Sequence, residues 1–230
     1  MIKNYEVKAK LISHSQPSAE MLSEGIGDLQ DLVAFCARVS NPSNQLNTDT
    51  TAKLLTYLAK HKHFSPFEMV HATIEVTTTR DIARQMLRHR SFSFQEYSQR
   101  YANPLLDLNF HLREARLQDT KNRQNSFSSY NPELQEEWDD MQRGVIEASM
   151  KAYEWAIDRG IAKEQARVVL PEGNTESKLY IAGTIRSFMH YVEVRSSNGT
   201  QNDHIQVALA IAEAISVIYK DINNYLPIDA

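Results

Sequence analysis

The sequence predicts an α+β fold, a single domain in which a central, mostly antiparallel sheet is flanked by helices. Two segments, 5–13 and 69–79, alternate polar and apolar side chains or are rich in β-branched residues, as strands are. Several longer segments instead repeat apolar residues with the period of a helix. No repeat or linker divides residues 1–230, a length that suits one hydrophobic core.

The first half of the chain is predicted to contain both strands and three of the helices. Asn41-Pro42-Ser43 ends the first helix, and Ser65-Pro66 forms a turn before the second strand. Asp81 suits the start of a short helix, because acidic side chains are favoured near a helix N-terminus. In chain order we expect a strand at 5–13, a loop at 16–25, helices at 26–39 and 51–61, a strand at 69–79 and a short helix at 81–90.

The second half is predicted to be mainly helical. Residues 101–130 are polar and weakly periodic, so we expect a loop or a mobile insertion there. Pro132 suits the first position of a long helix that Gly160 ends. The remaining elements are a short helix at 162–170, a strand and then a helix within 176–195, and a final helix at 202–223 with Ile205, Leu209, Ala212, Ile215 and Tyr219 near one face.

Charge and cysteine content narrow the classes of function. The net charge of −4 argues against general coating of nucleic acid but allows a local basic site. The single cysteine, Cys36, lies on the apolar face of a predicted helix and cannot form an internal disulfide. Because we find neither a signal peptide nor an apolar run near 20 residues, we expect a cytoplasmic protein with no membrane partner.

A basic segment lies between positions 80 and 100, where five arginines stand against two carboxylates. If 81–90 is helical, Arg80, Arg84 and Arg88 share one face and repel one another by a few tenths of a kcal/mol per pair. An anionic ligand would relieve this repulsion, and guanidinium groups suit phosphate. The alternative is a solvated basic face whose arginines pair with acidic residues elsewhere.

Polar and aromatic side chains continue this segment. Cations suit phosphate, hydroxyl and carboxylate groups suit a sugar or base, and rings suit stacking, so the mixture fits a nucleotide or single-stranded nucleic acid. Gln85 and His89 lie beside the arginines and can add neutral hydrogen bonds. The other residues of the mixture are Phe92, Ser93, Phe94, Glu96, Tyr97, Ser98 and Arg100.

The order R-H-R-x-x-S-x-x-x-x-S-x-R at positions 88–100 resembles the signature of the flavin-dependent thymidylate synthases. Its six fixed positions are occupied by Arg88, His89, Arg90, Ser93, Ser98 and Arg100. The family usually carries Asn-Glu where this chain has Gln95-Glu96. The resemblance implies flavin binding by Arg88, His89, Arg90 and Glu96, and dUMP binding by Gln85, Arg88, Glu96, Ser98 and Arg100.

Three further segments are similar to the same family. HKHFSPFE at 61–68 implies that His63 and Ser65 lie near the flavin, and EQARVVLP at 164–171 implies that Arg167 grips the nucleotide of a neighbouring subunit. TIRSFMHYVEVR at 184–195 places Arg195 beside the uracil ring. By position, Thr184, Ile185 and Arg186 fall where the family contacts flavin, as does His190, where many members carry asparagine.

Histidines near this segment raise the alternative of a metal site. His61 and His63 are two positions apart, but zinc needs further ligands and only His71 and His89 are near in sequence. We therefore expect no metal. His61 can instead meet free carbonyl groups at a helix C-terminus.

The resemblance implies an enzyme that makes dTMP from dUMP, with methylenetetrahydrofolate as carbon donor, FAD as hydride carrier and NADPH as reductant. It also implies a homotetramer with active sites at subunit junctions, and folate and dUMP as partners. No G-x-G-x-x-G occurs, so FAD must bind by another device than a Rossmann turn. The alternative is a non-catalytic nucleotide or single-stranded RNA-binding module; for the enzyme we expect no nucleic-acid partner.

Two residues have mechanistic expectations. Arg195 is the expected catalytic residue, because a cation beside the pyrimidine would stabilise negative charge that develops at N3 and O4. Ser98 has only Glu96 nearby as a base, so we expect it to bind the phosphate rather than act as a nucleophile. Arg88 and Arg90 are expected to face opposite ligands, since positions two apart on a helix diverge by about 200°.

Overall fold

The computed structural model describes residues 1–227. The strands are β1 (Ile2–Asn4), β2 (Lys8–His14), β3 (His71–Thr79), β4 (Ser93–Glu96), β5 (Phe110–Leu112), β6 (Arg116–Gln118), β7 (Ser126–Ser128) and β8 (Glu176–Thr184). The α-helices are α1 (Ala19–Ser23), α2 (Leu29–Ala37), α3 (Thr51–Lys60), α4 (Arg80–Met86), α5 (Pro104–Asp107), α6 (Pro132–Asp158), α7 (Lys163–Ala166), α8 (Ile185–Arg195) and α9 (Asn202–Ser216). Short 3₁₀ turns lie at Pro42–Asn44, Ser65–Met69, Arg167–Val169 and Lys220–Tyr225.

The central sheet has four strands in the order β2-β3-β8-β4, and each neighbouring pair is antiparallel. Strands β3 and β8 pair along their whole length, from His71 opposite Thr184 to Thr79 opposite Glu176. Alternate residues of β3 are buried because one face of the pleated sheet meets the core. The predicted α+β fold with a mostly antiparallel sheet is confirmed.

Two hydrophobic clusters stabilise the molecule. The larger one lies between the sheet and helices α2, α3, α8 and α9, and includes Val33, Ile74, Ile181, Phe188 and Ile211. The smaller one lies under the long helix α6 and joins it to β5 and α7. This smaller cluster packs α7 against β5 and α6. It thereby positions the turn after α7, which carries Arg167.

The prediction of a loop at 101–130 is wrong for its middle. Residues 110–112 form β5, which pairs in parallel with β1, and all three of its side chains are buried. A polar, weakly periodic sequence concealed this strand because its partner lies more than a hundred positions away. Helix α5 and the hairpin of β6 and β7 occupy much of the rest.

Other boundaries also differ from the sequence prediction. Helix α4 ends at Met86 rather than Arg90, so Arg88 and Arg90 lie beyond it and the predicted row of three arginines on one helical face is broken. Helix α9 ends at Ser216, and Ile205 and Leu209 are only half-buried, because Val207, Ala208 and Ile211 form its inward face. The opening strand predicted at 5–13 is β2, which begins only at Lys8, and the separate strand β1 precedes it. Helix α1 lies within the predicted loop at 16–25. No helix of the described part of the chain is both long and apolar enough to cross a membrane.

Candidate active site

Arg195 and His89 meet at the centre of the candidate site. Arg195 is the last residue of α8, and its Nε donates a hydrogen bond to Nε2 of His89 over 2.8 Å. Burial is the main cause that lowers the pKa of His89 to about 4, and the positive charge of Arg195 adds to this effect. His89 is therefore neutral at pH 7 and accepts this bond. Because the bond uses only Nε, the terminal amino groups of the guanidinium remain as donors for a ligand.

A chain of hydrogen bonds, buried at its Tyr191 end and exposed at its Gln201 end, lies beside this pair. The hydroxyl of Tyr191 is 2.8 Å from Nε2 of His204, and Nδ1 of His204 is 3.1 Å from Oε1 of Gln85. Nε2 of Gln85 in turn donates to Oε1 of Gln201 over 2.8 Å. Burial is the main cause that lowers the pKa of His204 to about 3, and the positive charge of Arg195 adds to this effect. This ring is therefore also neutral.

Sequence reasoning missed Tyr191, His204 and Gln201. Tyr191 and His204 are at most 1% exposed, and neither belongs to a motif whose spacing would mark it out. Their hydrogen bonds join α8, α9 and the end of α4, which only the tertiary structure brings together.

An aromatic cluster packs behind His89. The ring of Tyr191 meets the ring of His89 edge-on at a centroid distance of 4.8 Å, and Phe92 lies 4.8 Å from Phe188 and 5.8 Å from Tyr191. Gly183 makes this packing possible, because a Cβ there would lie 2.5 Å from Cδ1 of Phe92. This glycine, next to the last residue of β8, thus positions the aromatic wall of the site.

Arg80 and Arg84 pair with acidic residues. Both contact Glu172, and NH1 of Arg80 also lies 3.6 Å from Oε1 of Glu96. Glu96 accepts a further hydrogen bond from the hydroxyl of Ser177 over 2.8 Å. For these two arginines, the alternative interpretation, a basic face whose arginines pair with acidic residues elsewhere, is therefore correct. The exposed Arg88 and Arg90 have no carboxylate within ion-pair distance among residues 1–227.

Ser98, Arg100 and Arg167 lie where the turn after β4 approaches α7. Arg100 forms a 3.0 Å ion pair with Glu164 of α7, and both side chains are exposed. Ser98 is exposed, and Arg167 is half-buried in the turn directly after α7. Exposed ion pairs contribute little to stability, about 0–1 kcal/mol, so an anion can displace Glu164 from Arg100 at low cost.

Thr184 and its neighbours lie at the other end of the sheet. The hydroxyl of Thr184 caps α8 by accepting from the backbone N–H of Ser187 over 3.1 Å, and it donates to Glu68 over 2.7 Å. The guanidinium of Arg186 lies 4.4 Å from the centre of the Phe64 ring. The side chain of Ile185 is fully buried, so only its backbone is available to a ligand; His63, Ser65 and His190 are exposed.

The predicted residues therefore form separate groups within one chain. Glu96 pairs with Leu179 near the start of β8, whereas Thr184 ends this nine-residue strand. Leu179 lies five residues before Thr184, so at about 3.3 Å per residue the two positions are about 17 Å apart. The Thr184 group and the Glu96 group thus cannot contact the same small ligand within one subunit.

A large groove lies beside the Gln201 end of the hydrogen-bond chain. Its volume is about 800 Å³, and its wall includes Trp138, Met141 and Val145 of α6. None of the residues predicted for nucleotide or flavin binding lines it. Among residues 1–227, no three His, Cys, Asp or Glu side chains are arranged to hold a metal ion.

Comparisons with known proteins match most of the chain. The family described as thymidylate synthase complementing protein matches residues 22–219. A probable flavin-dependent thymidylate synthase of Paramecium bursaria Chlorella virus 1 is 47% identical over 207 residues, which cover 90% of this chain and 93% of the relative. A flavin-dependent thymidylate synthase of Synechocystis is 45% identical over 201 residues, covering 87% and 90% of the two chains.

The fold also matches a solved structure. The crystal structure of a UMP/dUMP methylase from Streptomyces cacaoi, bound with 5-Br dUMP, superposes with a TM-score of 0.78. The match covers 98% of each chain at 24% sequence identity. At that identity the match establishes the shared fold alone.

Proposed function

The chain is a member of the flavin-dependent thymidylate synthase family, and from this premise we propose how its residues divide the synthesis of dTMP from dUMP. The family membership makes the chain a flavin-dependent enzyme rather than a non-catalytic nucleotide or RNA-binding module. For the co-substrates we propose methylenetetrahydrofolate as the carbon donor and NADPH as the reductant. For the flavin we propose FAD.

Arg195 is proposed as the catalytic residue that acts on the uracil ring. A guanidinium beside the pyrimidine stabilises negative charge at N3 and O4 as the ring is activated. The observation that supports this role is the bond from Nε of Arg195 to the neutral His89. That bond holds the side chain in place before the substrate arrives, so less orientational freedom has to be lost when the transition state forms.

The nucleotide phosphate is proposed to bind between Ser98, Arg100 and Arg167. These residues combine a hydroxyl donor with two cations, which is the chemistry that phosphate groups prefer. Glu164 gives Arg100 a partner until the phosphate displaces it. Gln85, Glu96 and Arg88 are proposed to contact the rest of the nucleotide.

The flavin is proposed to bind at Thr184, Arg186, His63, Ser65 and the backbone of Ile185, together with residues of the basic segment. The donor set suits FAD, because Arg186 and the Phe64 ring offer a cation and an aromatic surface at 4.4 Å. Arg88 and Arg90 suit its diphosphate, because both lie beyond α4 and the helical geometry that would turn them to opposite ligands does not apply. His89, Glu96 and His190 complete the set. When bound, the flavin supplies the hydride chemistry; the protein binds and orients.

A homotetramer with active sites at subunit junctions is proposed as the assembly. The separation of about 17 Å between Leu179, which lies opposite Glu96, and Thr184 supports it, because a second copy would bring another Thr184 group near a nucleotide on the Glu96 side. Most soluble oligomers are symmetric homo-oligomers. Arg167 is proposed to reach the nucleotide of the neighbouring subunit.

The function is tested by an absorption spectrum and one substitution. The purified protein should be yellow or take up FAD, and its spectrum should change when dUMP is added. Arg195→Ala should keep FAD bound but reduce dTMP formation by about 100-fold or more, since that is the effect of removing one group that stabilises developing charge.

Arg143→Ala is the matched control, because Arg143 is exposed on α6, outside every group described above, and should retain turnover. A colourless protein that binds no FAD would contradict the enzyme function. Turnover of Arg195→Ala near that of the unmodified protein would remove Arg195 from catalysis.

A further inference from the structure

A continuous series of hydrogen bonds runs from the surface to the buried Tyr191. It begins at Asp203, whose Oδ1 lies 2.6 Å from NH1 of Arg113. Oδ2 of Asp203 accepts from Nε2 of Gln201 over 2.9 Å. The series then passes through Gln85 and His204 to the Tyr191 hydroxyl. It therefore joins a charged pair to a side chain of the candidate site.

The direction of every bond in this series follows from its charged end. A carboxylate only accepts hydrogen bonds, so the amide nitrogen of Gln201 must face Asp203 and its oxygen must face Gln85. The amide nitrogen of Gln85 then faces Gln201, and its oxygen faces His204. Nδ1 of His204 must carry the proton that it donates to Gln85, and Nε2 accepts from Tyr191.

We propose that His204 is a positioning residue, which holds the amide of Gln85 with its oxygen inward so that one amide N–H is left to be presented to the nucleotide. One N–H of Gln85 is used by Gln201, and the second has no partner within residues 1–227. Gln85 is thereby fixed as a donor and recognises a hydrogen-bond acceptor of dUMP. This inference rests on the proposed function, in which Gln85 contacts the nucleotide.

Burial makes His204 suited to this role. The ring is 0% exposed, and both of its nitrogens have partners. A rotated amide of Gln85 would set its nitrogen against the Nδ1–H of His204, leaving two donors facing each other and the Nδ1–H of a fully buried ring without an acceptor. The neutral state of His204, with its pKa lowered to about 3, keeps this arrangement throughout the neutral range.

Two substitutions of His204 separate positioning from packing. In His204→Asn, the amide nitrogen replaces Nδ1 and can still donate to Gln85. In His204→Gln, the amide lies further out near the position of Nε2, so the contact with Tyr191 is kept and the donor to Gln85 is lost. Both substitutions remove the ring, so we expect similar decreases in melting temperature.

We expect His204→Gln to raise the KM for dUMP about 5- to 10-fold with kcat within about 2-fold, the effect of one mispaired neutral hydrogen bond. His204→Asn should keep KM within about 2-fold. In Asp203→Asn, the new amide can donate as well as accept, so it no longer fixes the orientation of the Gln201 amide. This substitution should therefore also raise the KM for dUMP. It supplies the measurement if His204→Gln does not fold.

Equal KM values in the two His204 variants would overturn the proposal, as would an unchanged KM in both His204→Gln and Asp203→Asn. Calorimetric titration of each protein with dUMP keeps this outcome distinct from failure of the proposed function. If the unmodified protein makes no dTMP, the proposed function fails, while the order of dUMP affinities among the variants still tests the positioning role.

Discussion

Glu176 gives the most quantitative prediction of the structure. The residue is only 6% exposed at the start of β8, and its Oε2 lies 2.8 Å from His111, 3.1 Å from Asn109 and 3.2 Å from Lys3. Burial by itself raises the pKa of Glu176, but the hydrogen bonds from His111, Asn109 and Lys3 outweigh it and lower the pKa from 4.5 to about 2.

A lowered pKa makes stability depend on pH in a defined direction. The ionised Glu176 stabilises the folded state above pH 4.5, and this contribution is lost as the pH falls towards 2. The full shift corresponds to about 3 kcal/mol, of which about 2 kcal/mol is lost between pH 5.5 and pH 3.

Glu176→Gln removes the titrating group while keeping its shape. At pH 7 we expect the variant to be less stable than the unmodified protein, and we expect this difference to shrink by about 2 kcal/mol between pH 5.5 and pH 3. Urea unfolding at a series of pH values measures both curves. Glu147→Gln, at an exposed position of α6, is the control and should leave the pH dependence unchanged. Parallel curves for Glu176→Gln and the unmodified protein would refute the reasoning.

Two further substitutions test the packing and the chemistry of the site. Gly183→Ala should lower the free energy of unfolding by about 1–3 kcal/mol, because the new methyl group would overlap the Phe92 ring. Gly144→Ala on α6 meets nothing within 4 Å and should instead stabilise the protein by up to about 1 kcal/mol; equal effects in thermal melts would contradict the close approach. Ser98→Ala should still form dTMP but with a KM for dUMP raised about tenfold or more, as expected when a hydrogen bond to a charged phosphate is lost. Complete loss of turnover with dUMP still bound would instead favour a covalent role for Ser98.

The family and its fold class were accessible from the sequence. The spacing of residues 88–100 is a local property, and it identified the family that the comparisons confirm. The alternation in 69–79 likewise predicted β3, because successive side chains of a strand point to opposite faces and only one face is buried here. Such features can be recognised in the sequence because each depends only on residues that are near one another in the chain.

The roles of particular side chains depended on partners that are distant in sequence. Arg195 was identified by resemblance, but its anchoring by His89 joins positions 106 apart. The strand at 110–112 went unrecognised since its partners are β1 and the residues around Glu176. Arg80 and Arg84 carried the same charge signal as Arg88, yet Glu172 and Glu96 neutralise the first two.

What the sequence by itself determined is therefore the fold class, the family and the identity of the basic segment, all of which are encoded in local pattern and fixed spacing. What only the tertiary structure decided is which arginines have acidic partners, how His89 holds Arg195, and which way the amide of Gln85 faces. The physical reason is that hydrogen bonds and ion pairs act over about 3 Å. Folding alone brings α4, α8 and α9 to that distance.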